Sequence, residues 1–267
     1  MSVALAADAR HALLGGLIDH AALFPPASMS VPDAVAEDRR ARESSYAWMV
    51  ARFVCPASKL AALREKMPWE EAPGLSIVVD GPIEDGSAPI EAVEVKLSEP
   101  RPGSAELLRL AQSLRGLARE VYFELLPGER WRDSVPAAVG AVAAVGGRVK
   151  LRCGGEVVPP DDLVALVLVS CRDAGVVMKA TAGLHHPMRR GADHGFLNLL
   201  VAATLAHARG AGAKELEGVL AEEDLDSLGL AGLSAEEIAS TRAGLFTGFG
   251  SCSWREPVED LLELGVL

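Results

Sequence analysis

Short β-branched runs and longer stretches with helical spacing alternate along nearly the whole chain. Eight runs read as strands: "GLIDHA" (16–21), "MVARFV" (49–54), "LSIVVD" (75–80), "AVEVKL" (92–97), "EVYFEL" (120–125), "GRVKLR" (147–152), "VVMKAT" (176–181) and "GFGSCS" (248–253). Glycine and small residues weaken the first and last of these. Helix signals fill the intervals. Ser30 and Pro32 open one helix, Ser104 and Gly116 bracket another, and Pro160 with Asp161 and Asp162 starts a third that ends at Gly175. "HGFLNLLVAATLAHARG" is apolar around most of its circumference and predicts a buried helix. "GPIEDGSAPI" is too short and too rich in Gly and Pro for a full helix, so the unit between the third and fourth strands is predicted to be degenerate. An insertion of about 35 residues precedes the last strand. It holds the acidic stretch "KELEGVLAEEDLD" and a helix with Ser234 and Glu237 in capping-box positions.

Strands that alternate with helices pair in parallel, because a parallel crossover needs room for a helix. Eight such units predict a single α/β domain over residues 1–267, a closed (β/α)8 barrel of the TIM type with an insertion before its last strand. An open doubly wound sheet is the alternative, but no GxGxxG or GxxxxGK[ST] stretch follows any strand.

Alternation also assigns faces. With apolar residues turned toward the helices, Asp19, Arg52, Asp80, Glu94, Lys96, Tyr122, Glu124, Lys150, Arg152, Lys179 and Thr181 turn toward the barrel axis. Ordinary barrels fill that axis with Val, Ile and Leu. So many ionisable groups must pair or line a wet pocket, and barrel enzymes keep their sites at the C-terminal mouth.

Lys150 and Lys179 fall on neighbouring strands. A lysine attacks a carbonyl only as the neutral amine, and a nearby cation or burial lowers its pKa, so each could activate the other. Either is a candidate Schiff-base nucleophile, with Glu124 as proton shuttle, His185 as auxiliary acid or base, and Arg152 as anion anchor. Arg52, Asp80, Lys96, Thr181, His186, Ser251 and Ser253 are candidate substrate contacts, and Arg189 and Arg190 could join the serines on an anion. The simpler alternative is that both lysines only bind an anion. Cys252 with His185 as base is a weaker nucleophile candidate. Asn198 could reach the mouth or act as a buried cap.

The stretches "KLRCGG" (150–155) and "KATAG" (179–183) resemble the paired lysine strands of class I aldolases of the deoxyribose-phosphate type. That resemblance implies that Lys150 forms the Schiff base and Lys179 tunes it. Over nearly the full length, "LFPPA", "RFVCPAS", "KATAGLHHP", "HGFLNLL" and "FGSCSWREPVEDL" are similar to an uncharacterised bacterial (β/α)8-barrel family, which implies the fold and no activity.

Bulk composition narrows the rest. A net charge of −11 disfavours nucleic acid and anionic membranes as partners. No run of about 20 uncharged apolar residues is present, and "MSVALAADARHALLGGLIDH" reads poorly as a signal peptide. Four dispersed cysteines suit a reducing cytoplasm. The expectation is therefore a cytoplasmic lyase, aldolase-like, acting on a small anionic carbonyl compound without a cofactor, as a homo-oligomer or alone. Two alternatives remain open. One is a metal-dependent hydrolase or lyase, with zinc held by residues such as His20, Cys153, His185, His186, His194 and Cys252. The other is a barrel that binds a metabolite without turning it over.

Overall fold

A computed structural model describes residues 6–100, 103–114, 116–155 and 157–267, with the Ser104 side chain excepted. The cap expected from Ser104 and the start of the N-terminal segment lie outside the described residues. Eight parallel strands close into a barrel in sequence order: β1 (Ile18–His20), β2 (Val50–Pro56), β3 (Leu75–Val78), β4 (Ile90–Lys96), β5 (Glu120–Glu124), β6 (Arg148–Arg152), β7 (Met178–Thr181) and β8 (Phe246–Ser251). The strand β1 pairs with both β2 and β8, which seals the ring.

Ten α-helices accompany the strands among the described residues: α1 (Ala7–Leu14), α2 (Val31–Glu43), α3 (Leu60–Lys66), α4 (Ser104–Leu114), α5 (Trp131–Ala144), α6 (Asp161–Asp173), α7 (Phe196–Arg209), α8 (Ala213–Ala221), α9 (Ala235–Gly244) and α10 (Arg255–Glu263). Their ends follow the local chemistry. The Ser30 hydroxyl accepts from the Asp33 amide at the start of α2, and Ser234 and Glu237 form a reciprocal capping box on α9. Gly210 stops α7 in a left-handed conformation. The insertion before β8 carries α8 and α9, and no helix separates β3 from β4, as the Gly/Pro content predicts. The helix α1 was not predicted. No helix among the described residues is long and apolar enough to cross a membrane.

The main core lies between the strands and the surrounding helices, where Phe123, Leu151 and Ala180 point outward and Phe196 stacks on Phe249. A second apolar cluster, including Phe53, Leu75 and Ile77, lies under α2 and α3. The axis is filled differently. Asp19, Ser76, Glu94, Tyr122, Glu124, Lys150 and Lys179 are all buried. In register, Glu124 neighbours Lys150 and Lys150 neighbours Lys179, so three adjacent strands present ionised groups in one layer.

Candidate active site

At the centre is a chain of alternating charge. The Lys179 ammonium donates to Asp19 and, at 2.7 Å, to Glu94 Oε1. The other Glu94 oxygen accepts from Lys150 at 2.7 Å, and Lys150 also pairs with Glu124 at 2.8 Å. Ser76 adds a 2.6 Å hydrogen bond to Glu94 Oε1. The ring of Tyr122 closes the layer below, with its centroid 5.3 Å from Lys179 Nζ.

This arrangement differs from mutual activation of two lysines. A carboxylate stands between the ammonium groups, so each cation sees opposite charge first. Burial opposes the charged form of Lys179, yet Asp19 and Glu94 outweigh it and raise its pKa above the usual lysine range. Burial likewise opposes ionisation of Glu94, and the two lysines override it, holding the carboxyl well below the usual range. Lys179 is thus a fixed cation. Lys150 also lies beside two carboxylates, but both of its partners, Glu94 and Glu124, line the cavity, whereas Asp19, the second partner of Lys179, does not.

Above this layer a cavity of about 630 Å³ opens at the C-terminal ends of the strands. Glu94, Glu124, Lys150 and Lys179 form its floor, and the exposed Lys96 and Arg152 stand on its wall. Thr181, His185 and Ser251 also line it, with backbone from residues 182–184. His185 Nδ1 is 3.1 Å from Glu256 on α10. The Ser251 hydroxyl donates to the Ser253 carbonyl at 2.6 Å. Ala182 and Gly183 both have positive φ, and the Cα of Gly183 would lie 2.6 Å from a Cβ added to Gly154. The glycines of "KLRCGG" and "KATAG" therefore let the two lysine strands end in close contact.

Several expected contacts lie elsewhere. Arg52 sits near the start of β2, so its side chain is at the opposite mouth, paired with Glu91 at 2.9 Å and Glu120 at 2.8 Å. Asp80 falls beyond the end of β3, where strand alternation no longer aims side chains, and it accepts from the amide and hydroxyl of Ser58. His186 pairs with Asp260 at 2.6 Å, and Arg190 reaches the same carboxylate. Arg189 binds Asp161, while Asn198 accepts from the Arg189 amide and donates to the Val219 and Glu222 carbonyls. The Ser253 hydroxyl accepts from the Glu256 amide at the start of α10.

The expected metal ligands also separate. His20 is buried against Asp38 and His194 against the Pro159 carbonyl, while the half-buried His186 pairs with Asp260 on α10. Among the described residues no group of three His, Cys, Asp or Glu side chains is placed to share a metal ion. Burial pushes the Cys153 thiol up to about 12 and the Cys252 thiol upward, which suppresses the thiolate a nucleophile needs.

Sequence reasoning placed Glu94 and Asp19 on the inner face but gave them no part in the site. The signal that could have found them is charge balance, since two lysines on a barrel axis require carboxylates within reach.

No family model matches the chain, and no curated protein is significantly similar to it. Solved structures do resemble it. A deoxyribose phosphate aldolase from Aeropyrum pernix, described as tetrameric, superposes with a TM-score of 0.56 at 15% identity, covering 97% of this chain and all of the other. A Toxoplasma gondii protein, provisionally described as a deoxyribose-phosphate aldolase, gives a TM-score of 0.49 at 16% identity, covering 96% of this chain and 94% of its own. The first likeness shows the fold, a TIM barrel.

Proposed function

We propose that this barrel is an aldolase-like lyase that cleaves or joins a carbon–carbon bond in a small anionic carbonyl compound, with Lys150 as the Schiff-base nucleophile. The observation that carries this reading is the position of Lys150 Nζ, on the floor of an open cavity and within 2.8 Å of both Glu94 and Glu124. The "KLRCGG" resemblance and the aldolase-like fold support it.

In the cleavage direction, Lys150 passes a proton to Glu124 and its lone pair attacks the carbonyl carbon, forming a C–N bond. The carbinolamine loses its hydroxyl as water, with Glu124 returning the proton, and an iminium remains. Glu124, again a carboxylate, then takes the proton from a hydroxyl two carbons from the iminium carbon. The bond between hydroxyl-bearing carbon and α-carbon breaks, an aldehyde leaves, and the electron pair neutralises the iminium as an enamine. Protonation at the α-carbon and addition of water release the second product and free the amine. Lys179 stays charged throughout, holding Asp19 and Glu94 in place and adding positive field near the nitrogen. Lys96 and Arg152 hold the anionic group, and His185 stands at the rim as a further acid or base. No cofactor is required. A cytoplasmic homo-oligomer fits the same reading, supported by the tetrameric description of the Aeropyrum pernix enzyme.

Enamine formation exchanges α-protons even when no bond is cleaved. Proton NMR in D2O with pyruvate, acetone or acetaldehyde is expected to show exchange catalysed by the wild-type protein and abolished in Lys150→Ala. Exchange that survives Lys150→Ala, or none with any simple carbonyl compound, would overturn the proposal.

A further inference from the structure

The cavity has two unlike sides. The arc from β4 to β8 supplies all of its charged side chains and its hydroxyls, namely those of Thr181 and Ser251. The arc from β1 to β3 is lined by Phe24, Pro25, Pro26, Val54, Val78 and Val79, with Ala21 at the end of β1. Among the described residues on that side, none brings a hydroxyl, amide or charge into the cavity.

The backbone there offers little more. Pro25 and Pro26 have no N–H. The amide of Phe24 donates to the Ala21 carbonyl, and that of Val79 to the Glu94 carbonyl. Ser76 lies in the same arc, but its hydroxyl is committed to Glu94 at 2.6 Å. The apolar wall also reaches the reacting centre, because Val78 is the register partner of Glu94 and Val54 that of Ser76. A ligand whose carbonyl sits at Lys150 and whose anionic group meets Lys96 and Arg152 must lay its remaining carbon chain over β1–β3.

We infer that the fragment of the substrate opposite its anionic end, the one released as the aldehyde, is aliphatic or aryl and not a polyol. The word aldehyde rests on the Schiff-base reading above; the apolar seat does not. A hydroxyl carried onto this wall would give up its water without gaining a protein partner. The magnitude is bounded, because an apolar pocket rejects an added hydroxyl by roughly 100-fold at most. Val54 and Val78 are then the specificity-determining side chains, and Phe24 covers the seat from the loop after β1.

The test is calorimetric titration of the wild-type protein with two α-keto acids of equal chain length, one with an aliphatic tail and one with a hydroxylated tail. The aliphatic ligand is expected to bind about 10- to 100-fold more tightly. Val78→Thr, which keeps the shape and adds a hydroxyl at a half-exposed position, is expected to narrow that ratio several-fold. Equal affinities, or preference for the hydroxylated tail, would overturn the inference. Borohydride capture with the same ligands keeps the two readings apart. A preference without capture leaves the apolar seat standing and removes the Schiff base, whereas capture without a preference removes the seat alone.

Discussion

Lys150 and Lys179 differ by one strand, yet their surroundings give them different work. Lys179 is 2% exposed and lies between two carboxylates, so it stays an ammonium. Glu94 depends on both lysines for its own ionisation. Opposite shifts in two partners give a two-sided pH dependence. Glu94 has a lowered folded value, so its contribution to stability is present above about pH 4.3 and is lost as pH falls through the folded value. Lys179 has a raised folded value, so its contribution is full below about pH 10.4 and is lost as pH rises toward the folded value. Replacing Glu94 with Gln removes the charge that both cations share. Denaturant unfolding at neutral pH is expected to show a loss of about 3 kcal/mol, as for breaking a buried ion pair. The gap between wild type and variant should then narrow as the pH drops below about 4.3, where Glu94 of the unfolded chain takes up a proton while the folded carboxylate still keeps its charge. A gap that stays constant down to strong acid would mean that Glu94 is not ionised in the fold.

At the scale of elements, short β-branched runs between helical stretches revealed all eight strands, the last displaced by two residues. Period-two alternation gave the inner faces of the first seven, because a strand turns successive side chains to opposite sides. It did not reveal height along the axis. Arg52 and Lys150 both face inward by alternation, but Arg52 lies near the start of its strand and serves the far mouth. Asp80, His186 and Ser253 lie outside strands, where tertiary contacts with Ser58, Asp260 and Glu256 decide their aim. The helix α1 escaped notice because Asp8, Arg10 and His11 interrupt its short apolar face and no side chain caps its start. The glycines were more informative than their flexibility suggests. A Cβ on Gly154 would lie 2.6 Å from the Gly183 Cα, so Gly154→Ala must push apart the ends of β6 and β7. That variant is expected to fold with a lower melting temperature and to lose at least about tenfold in α-proton exchange, since small misplacements of reacting groups cost this much or more. Exchange at the wild-type rate would show that contact between the strand ends does not matter for the site.

For the molecule as a whole, the barrel buries a linked set of ionised groups, Asp19, Lys179, Glu94, Lys150 and Glu124, on its axis, and apolar side chains pack the strands against the surrounding helices. The chain carries a net charge of −11, yet the cavity wall bears Lys96 and Arg152, so an anion is attracted to this mouth against the average field. The floor is charged, one arc of the wall is polar and the other apolar. On the proposed reading, that asymmetry would orient a small ligand with its carbonyl at Lys150. The measurement that bears most directly on this account is reduction with borohydride in the presence of a panel of aldehydes and α-keto acids, followed by peptide mapping of the adduct by mass spectrometry. The account predicts one reduced adduct, on Lys150, absent from Lys150→Ala. An adduct on Lys179 instead, or no adduct with any compound that the protein converts, would contradict it.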